Sequence, residues 1–129
     1  MVDCRSLIGK QWEYGQQDCY ALLREYYKKL GIELPDFERP ENLGMTDSLF
    51  LRHAKSLNFV LVEFEDRKPN DVLLMRLATR TPMHAAIYLG NDKILHQRAD
   101  SVSTVEPLRG YYRKRIAAVF RHAAGYVNG

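Results

Sequence analysis

The chain is poor in the features that mark secreted, membrane-embedded or nucleic-acid-bound proteins. Two of its 129 residues are cysteine, Cys4 and Cys19. That is too few for a disulfide framework, and no Cys-x-x-Cys or His-x-x-x-His spacing offers a metal site. No apolar run approaches the ~18 residues of a membrane-spanning helix, so membrane insertion is not expected. The opening residues Met-Val-Asp-Cys-Arg lack the apolar core of a signal peptide. Synthesis in the cytoplasm is therefore expected, with any role outside needing another route. Net charge is only +3, too mild to indicate nucleic acid. Neither repeats nor low-complexity segments occur. What is present, 46% hydrophobic and 27% charged residues, is an ordinary globular balance. The length fits one domain spanning 1–129, large enough to fold without staples.

The first clear element starts at Asp18, a good N-cap. Cys19, Leu22, Leu23, Tyr26 and Leu30 recur at helical spacing and Gly31 is a good stop, so a helix is predicted over 18–30 with Cys19 in its first turn. A polar stretch with Pro35 and Pro40 reads as a loop. Thr46 or Asp47 would cap a second helix, roughly 47–57, placing Leu49, Phe50, His53 and Leu57 on one face. From Phe59 the pattern turns to strands: Phe59–Phe64, Asp71–Leu77, His84–Leu89, Lys93–Gln97 and Arg115–His122. Arg67–Asn70 is a turn, Thr81-Pro82 a break, and Gly90-Asn91-Asp92 a tight hairpin signal. Helices followed by an antiparallel meander make an α+β domain.

A thiol attacks acyl groups as a thiolate, and a helix N-terminus favours that anion. Unpaired amides in the first turn can also hold an oxyanion. Cys19 occupies such a position. A base must come from elsewhere. His84 opens a strand directly after the Thr81-Pro82 break, and His96 lies as many residues after Gly90 as His84 lies before it. Across a hairpin the two imidazoles would be neighbours, one taking the thiol proton and the other orienting it. Thiol, imidazoles and backbone amides complete that chemistry, so no cofactor and no metal is called for; nothing in the spacing requires these three residues to bind zinc instead. Cys4 reads as a loose thiol, His53 as core or rim, and His122 as a strand-end surface group. The Arg109–Arg115 run reads as a solvated turn and edge strand that could attract carboxylates.

Several segments carry a resemblance. Gly15-Gln-Gln-Asp18-Cys19-Tyr-Ala-Leu resembles the Asp-Cys motif of the NlpC family of cell-wall endopeptidases. Asn70-Asp71-Val-Leu-Leu is similar to that family's Gly-Asp-Leu strand entry, and Met83-His84-Ala-Ala-Ile-Tyr-Leu-Gly90-Asn to its His-Val-Gly-Ile-Tyr-Leu-Gly strand. Ile94-Leu-His96 looks like the strand bearing its third polar residue. The resemblance covers roughly 12–100, and the run from Asp18 to Tyr27 looks most like the branch found in tail-tip proteins of long-tailed phages. It implies a papain-like fold, a helix carrying Cys19 packed on an antiparallel sheet carrying His84 and His96. It further implies a Cys-His-His thiol endopeptidase acting on peptidoglycan stem peptides at the γ-D-glutamyl–diamino acid bond. The branch implies action at the bacterial cell wall from within a virion, with other tail-tip proteins as partners.

The family's usual Ser-Gly after the cysteine is here Tyr20-Ala21, and its double Gly is Gly15-Gln16. Trp12 stands where a tyrosine often lends its hydroxyl to the oxyanion, with Tyr14 two residues on; Trp12, Tyr14 and Asp18 are the candidate oxyanion or substrate-binding groups. Two other functions use the same residues differently: a cysteine acyltransferase or amidase working through the same thioester, and a catalytically inert tail-assembly module.

Overall fold

The computed structural model describes residues 2–39, 49–77 and 82–124. Helix α1 spans Cys19–Lys29 and a short α2 spans Leu49–His53. Six strands follow: β1 Phe59–Val62, β2 Val72–Met75, β3 His84–Gly90, β4 Lys93–His96, β5 Thr104–Pro107 and β6 Ile116–His122. They form one antiparallel sheet in the order β1-β6-β2-β3-β4-β5. The α+β architecture is as expected, but the sheet is not a simple meander. Only β2 to β5 run in sequence order; β6 inserts between β1 and β2.

Local chemistry explains α1. The Asp18 carboxylate accepts from the Ala21 amide at 2.9 Å, capping an orphan donor of the first turn, and from the Gly15 amide at 3.0 Å, fastening the loop that enters the helix. Past Lys29 the chain needs a left-handed residue, supplied by Gly31 at φ +82°. The second helix is shorter than the sequence pattern suggests. Residues 54–58 form turns closed by Leu57 N–H to His53 O at 2.9 Å, and Asn58 at φ 66° turns the chain into β1. The expected cap at Thr46 or Asp47 and the Thr81 part of the break lie outside the described residues. Likewise β1 stops at Val62, and Phe64–Asp66 coil into a single helical turn. Asn91 and Asp92, at φ 53° and 54°, make the two-residue hairpin between β3 and β4, a geometry that matches strand twist.

Side chains alternate across the sheet. One face, with Val72, Leu74, Ala85, Ile87 and Leu95, packs on Leu22, Leu23, Tyr26 and Tyr27 of α1. The other set, Leu73, Met75, Ala86, Tyr88 and Ile94, packs with Leu108 and Tyr112 from the segment after β5. Asp71, buried at the entry to β2, accepts two hydrogen bonds of 2.9 Å from Arg121 and so ties β6 into the centre of the sheet.

Two histidines are placed by this packing. His53 stacks flat on Phe37, centroids 3.7 Å apart, at the rim of the core. His122 differs from expectation. It is half-buried, edge-on to Phe59 at 5.1 Å and beside Tyr27 at 6.0 Å, and burial pulls its pKa down. The Arg109–Arg115 run is the solvated turn expected of it, with Arg109, Tyr111, Arg113 and Lys114 exposed, but Tyr112 is buried. Nor is the run an edge strand: Arg113–Arg115 form a helical turn that leads into the interior strand β6.

Candidate active site

Cys19 is the first residue of α1, so its amide has no carbonyl partner within the helix. The segment before it is fastened to the far end of the sheet. Gly9 N–H donates to Ser103 O at 2.8 Å, Ser103 N–H to Lys10 O at 2.9 Å, and Gln97 Nε2 to Lys10 O at 2.9 Å. Gln17 Nε2 donates to Gln97 Oε1 at 3.1 Å. Gln97 directly follows His96, so the start of α1 is pinned beside the end of β4.

The thiol rests on the backbone around His84. Its Sγ lies 3.8 Å from the Met83 carbonyl oxygen, and the amides of Ala85 and Tyr20 interact with the sulfur. The residue keeps some exposure while the sulfur is enclosed. Burial pushes the thiol up to about 11, with Asp18 adding to the rise and those two amides and Arg39 opposing it. The helix-terminus argument predicts a lowered value; desolvation outweighs it here. His84, 8% exposed, is pushed down to about 3, by burial first and then by His96 and Arg98. At neutral pH thiol and imidazole are therefore both uncharged at rest.

His84 and His96 do meet. His84 Nε2 and His96 Nδ1 are 2.9 Å apart, the rings inclined at 70°. They are not directly opposite, as a count from Gly90 suggests. Tyr88 faces Ile94 and Ile87 faces Leu95, a register that puts Ala86 rather than His84 across from His96. The turn is centred on Asn91-Asp92 and not on Gly90, which offsets the pair. The register shift between Tyr88 and Gly90 brings the two histidines back onto one face, and the rings touch diagonally. Beyond them stand two groups that sequence reading missed. His96 Nε2 lies 2.5 Å from Glu106 Oε2 on β5, and the Tyr112 hydroxyl donates to the same oxygen at 2.8 Å. A faint signal existed for Glu106: Thr104-Val105-Glu106 alternates directly before Pro107, like an edge strand.

Of the three other candidates, Asp18 has both oxygens engaged within the protein. Besides the cap it accepts from Arg39 Nε at 2.7 Å and Nη2 at 3.0 Å. Burial raises its carboxyl, but Arg39 and the Ala21 and Gly15 amides lower it further, for a net fall. Tyr14 is within electrostatic reach of Cys19 and Asp18, which with burial raise its phenol. Trp12 stacks on Tyr14 at 6.2 Å. Among the described residues no three His, Cys, Asp or Glu side chains converge as a metal site, and no helix is long and apolar enough to cross a membrane.

Comparison with known proteins bears on the family and the fold. The model of the NlpC/P60 family matches residues 9–121. Tail tip assembly protein K of Escherichia phage lambda is 34% identical over 119 residues, covering 92% of this chain. The chain spans 60% of that protein's length. Among solved structures, NlpC1 from Trichomonas vaginalis aligns with a TM-score of 0.64 at 17% identity, over 92% of this chain and 40% of that one. An NLP/P60-family protein from Staphylococcus aureus, described as similar to lipoprotein, aligns at 0.63 and 19% identity, over 90% and 37%. A Bacillus cereus NlpC/P60 protein aligns at 0.53 and 21% identity, over 81% and 31%. At these identities the structures speak to the fold.

Proposed function

The chain belongs to the NlpC/P60 family, whose members are typically cysteine peptidases or amidases, and on that premise we propose that it is a thiol endopeptidase cutting peptidoglycan stem peptides at the γ-D-glutamyl–diamino acid bond. The observation that carries this reading is the contact of Cys19 Sγ with the backbone on both sides of His84, whose ring is hydrogen-bonded to His96. Cys19 Sγ attacks the carbonyl carbon while His84 takes the thiol proton. Because both groups are neutral at rest, proton and nucleophile move together rather than from a standing ion pair. The Cys19 amide and the Tyr14 hydroxyl hold the oxyanion. The C–N bond then breaks, His84 returns the proton to the leaving amine, and a thioester remains. Water, deprotonated by His84, releases the acid and restores the thiol. His96 orients His84 throughout.

The named relative is a tail tip assembly protein, so the reading places the domain in a tail tip, with other tail proteins as neighbours and the cell wall as its site of action. That same relative, together with the buried neutral thiol, favours one second reading, an assembly module whose thiol is idle. Incubation with purified muropeptides separates them. Hydrolysis by the wild type, lost in Cys19→Ala, is expected; digestion that persists unchanged in Cys19→Ala overturns the peptidase. Products joined to an added amine instead of water would mean acyl transfer. No cleavage, no labelling of Cys19 by a thiol probe at neutral pH, and stable binding to tail proteins would establish the assembly module.

A further inference from the structure

Two imidazoles in series have a problem that one does not. Each neutral ring carries a single proton on one of two nitrogens, and the wrong choice leaves no base for the thiol. The geometry points to Glu106 as the positioning residue that sets the tautomer of both rings and so keeps Nδ1 of His84 unprotonated. This rests on the proposed pairing of Cys19 with His84, and it names how that pair is kept competent.

The deduction runs inward from the carboxylate. Glu106 Oε2 already receives the Tyr112 proton at 2.8 Å, and its own acid is held low; burial opposes that, while His96 and Tyr112 outweigh it. An ionised carboxylate only accepts, so the nitrogen 2.5 Å away, Nε2 of His96, must carry the hydrogen. His96 is 0% exposed. Burial holds it neutral, against the pull of Glu106 in the other direction. Its Nδ1 is then a bare lone pair. Nε2 of His84, 2.9 Å from that lone pair, must donate to it. His84 is also neutral, so its one proton is spent there and Nδ1 is left to accept another. The opposite assignment would press the lone pair of His96 Nε2 against a carboxylate at 2.5 Å, two acceptors with no proton between them.

Other charges around the rings do not duplicate this. Arg98 disfavours protonation of both His84 and His96; it donates to the Tyr112 hydroxyl at 3.3 Å and so helps hold the phenol that holds Glu106. Asp18 and Arg39 act on Cys19 with opposite signs. Among the described residues Glu106 is the one carboxylate touching either ring. When His84 takes the thiol proton, the new positive charge is offset from behind by a fixed anion, without any proton leaving His96.

The test reads Cys19 and the rings directly and needs no substrate, so a protein that failed to cut muropeptides would leave this inference standing. In ring-nitrogen NMR of the wild type at neutral pH, His84 and His96 should each be protonated at Nε2 only; a proton on Nδ1 of His84 overturns the assignment, and this spectrum decides even if Glu106→Ala fails to fold. In Glu106→Ala the tautomers should mix. Glu106→Gln keeps an acceptor but removes the charge that favours imidazolium. Alkylation of Cys19 by iodoacetamide at neutral pH should slow about tenfold, the effect of one unit on the base. The deficit should close as pH rises toward the thiol's own value of about 11, where hydroxide replaces His84. Tyr112→Phe should slow the reaction less, in the same pattern. A uniform loss of thermal stability with an unchanged alkylation profile would make Glu106 merely structural and overturn the proposal.

Discussion

The two faces of the sheet are built by opposite rules. Toward α1 the buried contacts are apolar packing, with Leu22, Leu23, Val72, Leu74, Ile87 and Leu95 filling space. The other set shares its space with a string of polar groups, His84, His96, Glu106 and Tyr112, each bonded to the next. On the first face a lost contact costs stability and can be repacked. On the second, every group fixes the protonation of its neighbour, so a loss travels along the string. Both faces bury apolar side chains, but the imidazole–carboxylate string lies on the face away from α1, and Cys19 at the start of α1 meets it at the entry to β3.

Mutations can break or sharpen this division. The largest effect is expected for His84→Ala, which should slow muropeptide hydrolysis about 10³-fold, the contribution of a general base, while urea unfolding shows a native-like fold; unchanged turnover would end the division of labour. Leu23→Ala, at a side chain with 0% exposure, should lower stability by about 3 kcal/mol in urea titration and leave the alkylation rate of folded Cys19 as it was. The acid limb is expected to be intermediate. His84 has a folded value depressed from 6.5 to about 3. The unfolded chain therefore takes up its proton first, and the stability present above pH 6.5 is lost as pH falls toward 3. His84→Leu should flatten that decline; an equally steep decline in the variant would show that the imidazole is not buried neutral. The smallest effect is expected at Leu61, 69% exposed on β1. Leu61→Lys should change stability by less than about 0.5 kcal/mol and activity not at all.

How much of this could be read from sequence divides along a related line. Local signals were faithful. Asp18 caps α1, Gly31 ends it, and Asn91-Asp92 forms the hairpin, because each depends on backbone chemistry within a few residues. That His84 and His96 lie on neighbouring hairpin strands was legible, but the symmetry about Gly90 was not the true one. The turn is centred on Asn91-Asp92, and the register shift that returns both rings to one face leaves no trace in spacing. Long-range pairing was invisible. Nothing in Ile116–His122 says that it enters between β1 and β2, and Asp71 gives no sign that Arg121 is its partner. Glu106 and Tyr112 were hidden for the same reason, their role resting on which strand lies beside β4. Arg39 lies in a loop whose polar residues look alike until one of them is found bonded to Asp18.

The place of β6 has a consequence for synthesis. A nascent chain halted before residue 116 already contains Cys19, His84, His96 and Glu106, and β2 to β5 can pair as each emerges. Yet β1 would have no neighbour and β2 a bare edge, because both bond to the strand still inside the ribosome. Contacts so distant in sequence form late. During that interval the unpaired edges are the part of the nascent chain most open to chaperones and to aggregation, and arrival of the last strand closes both edges together.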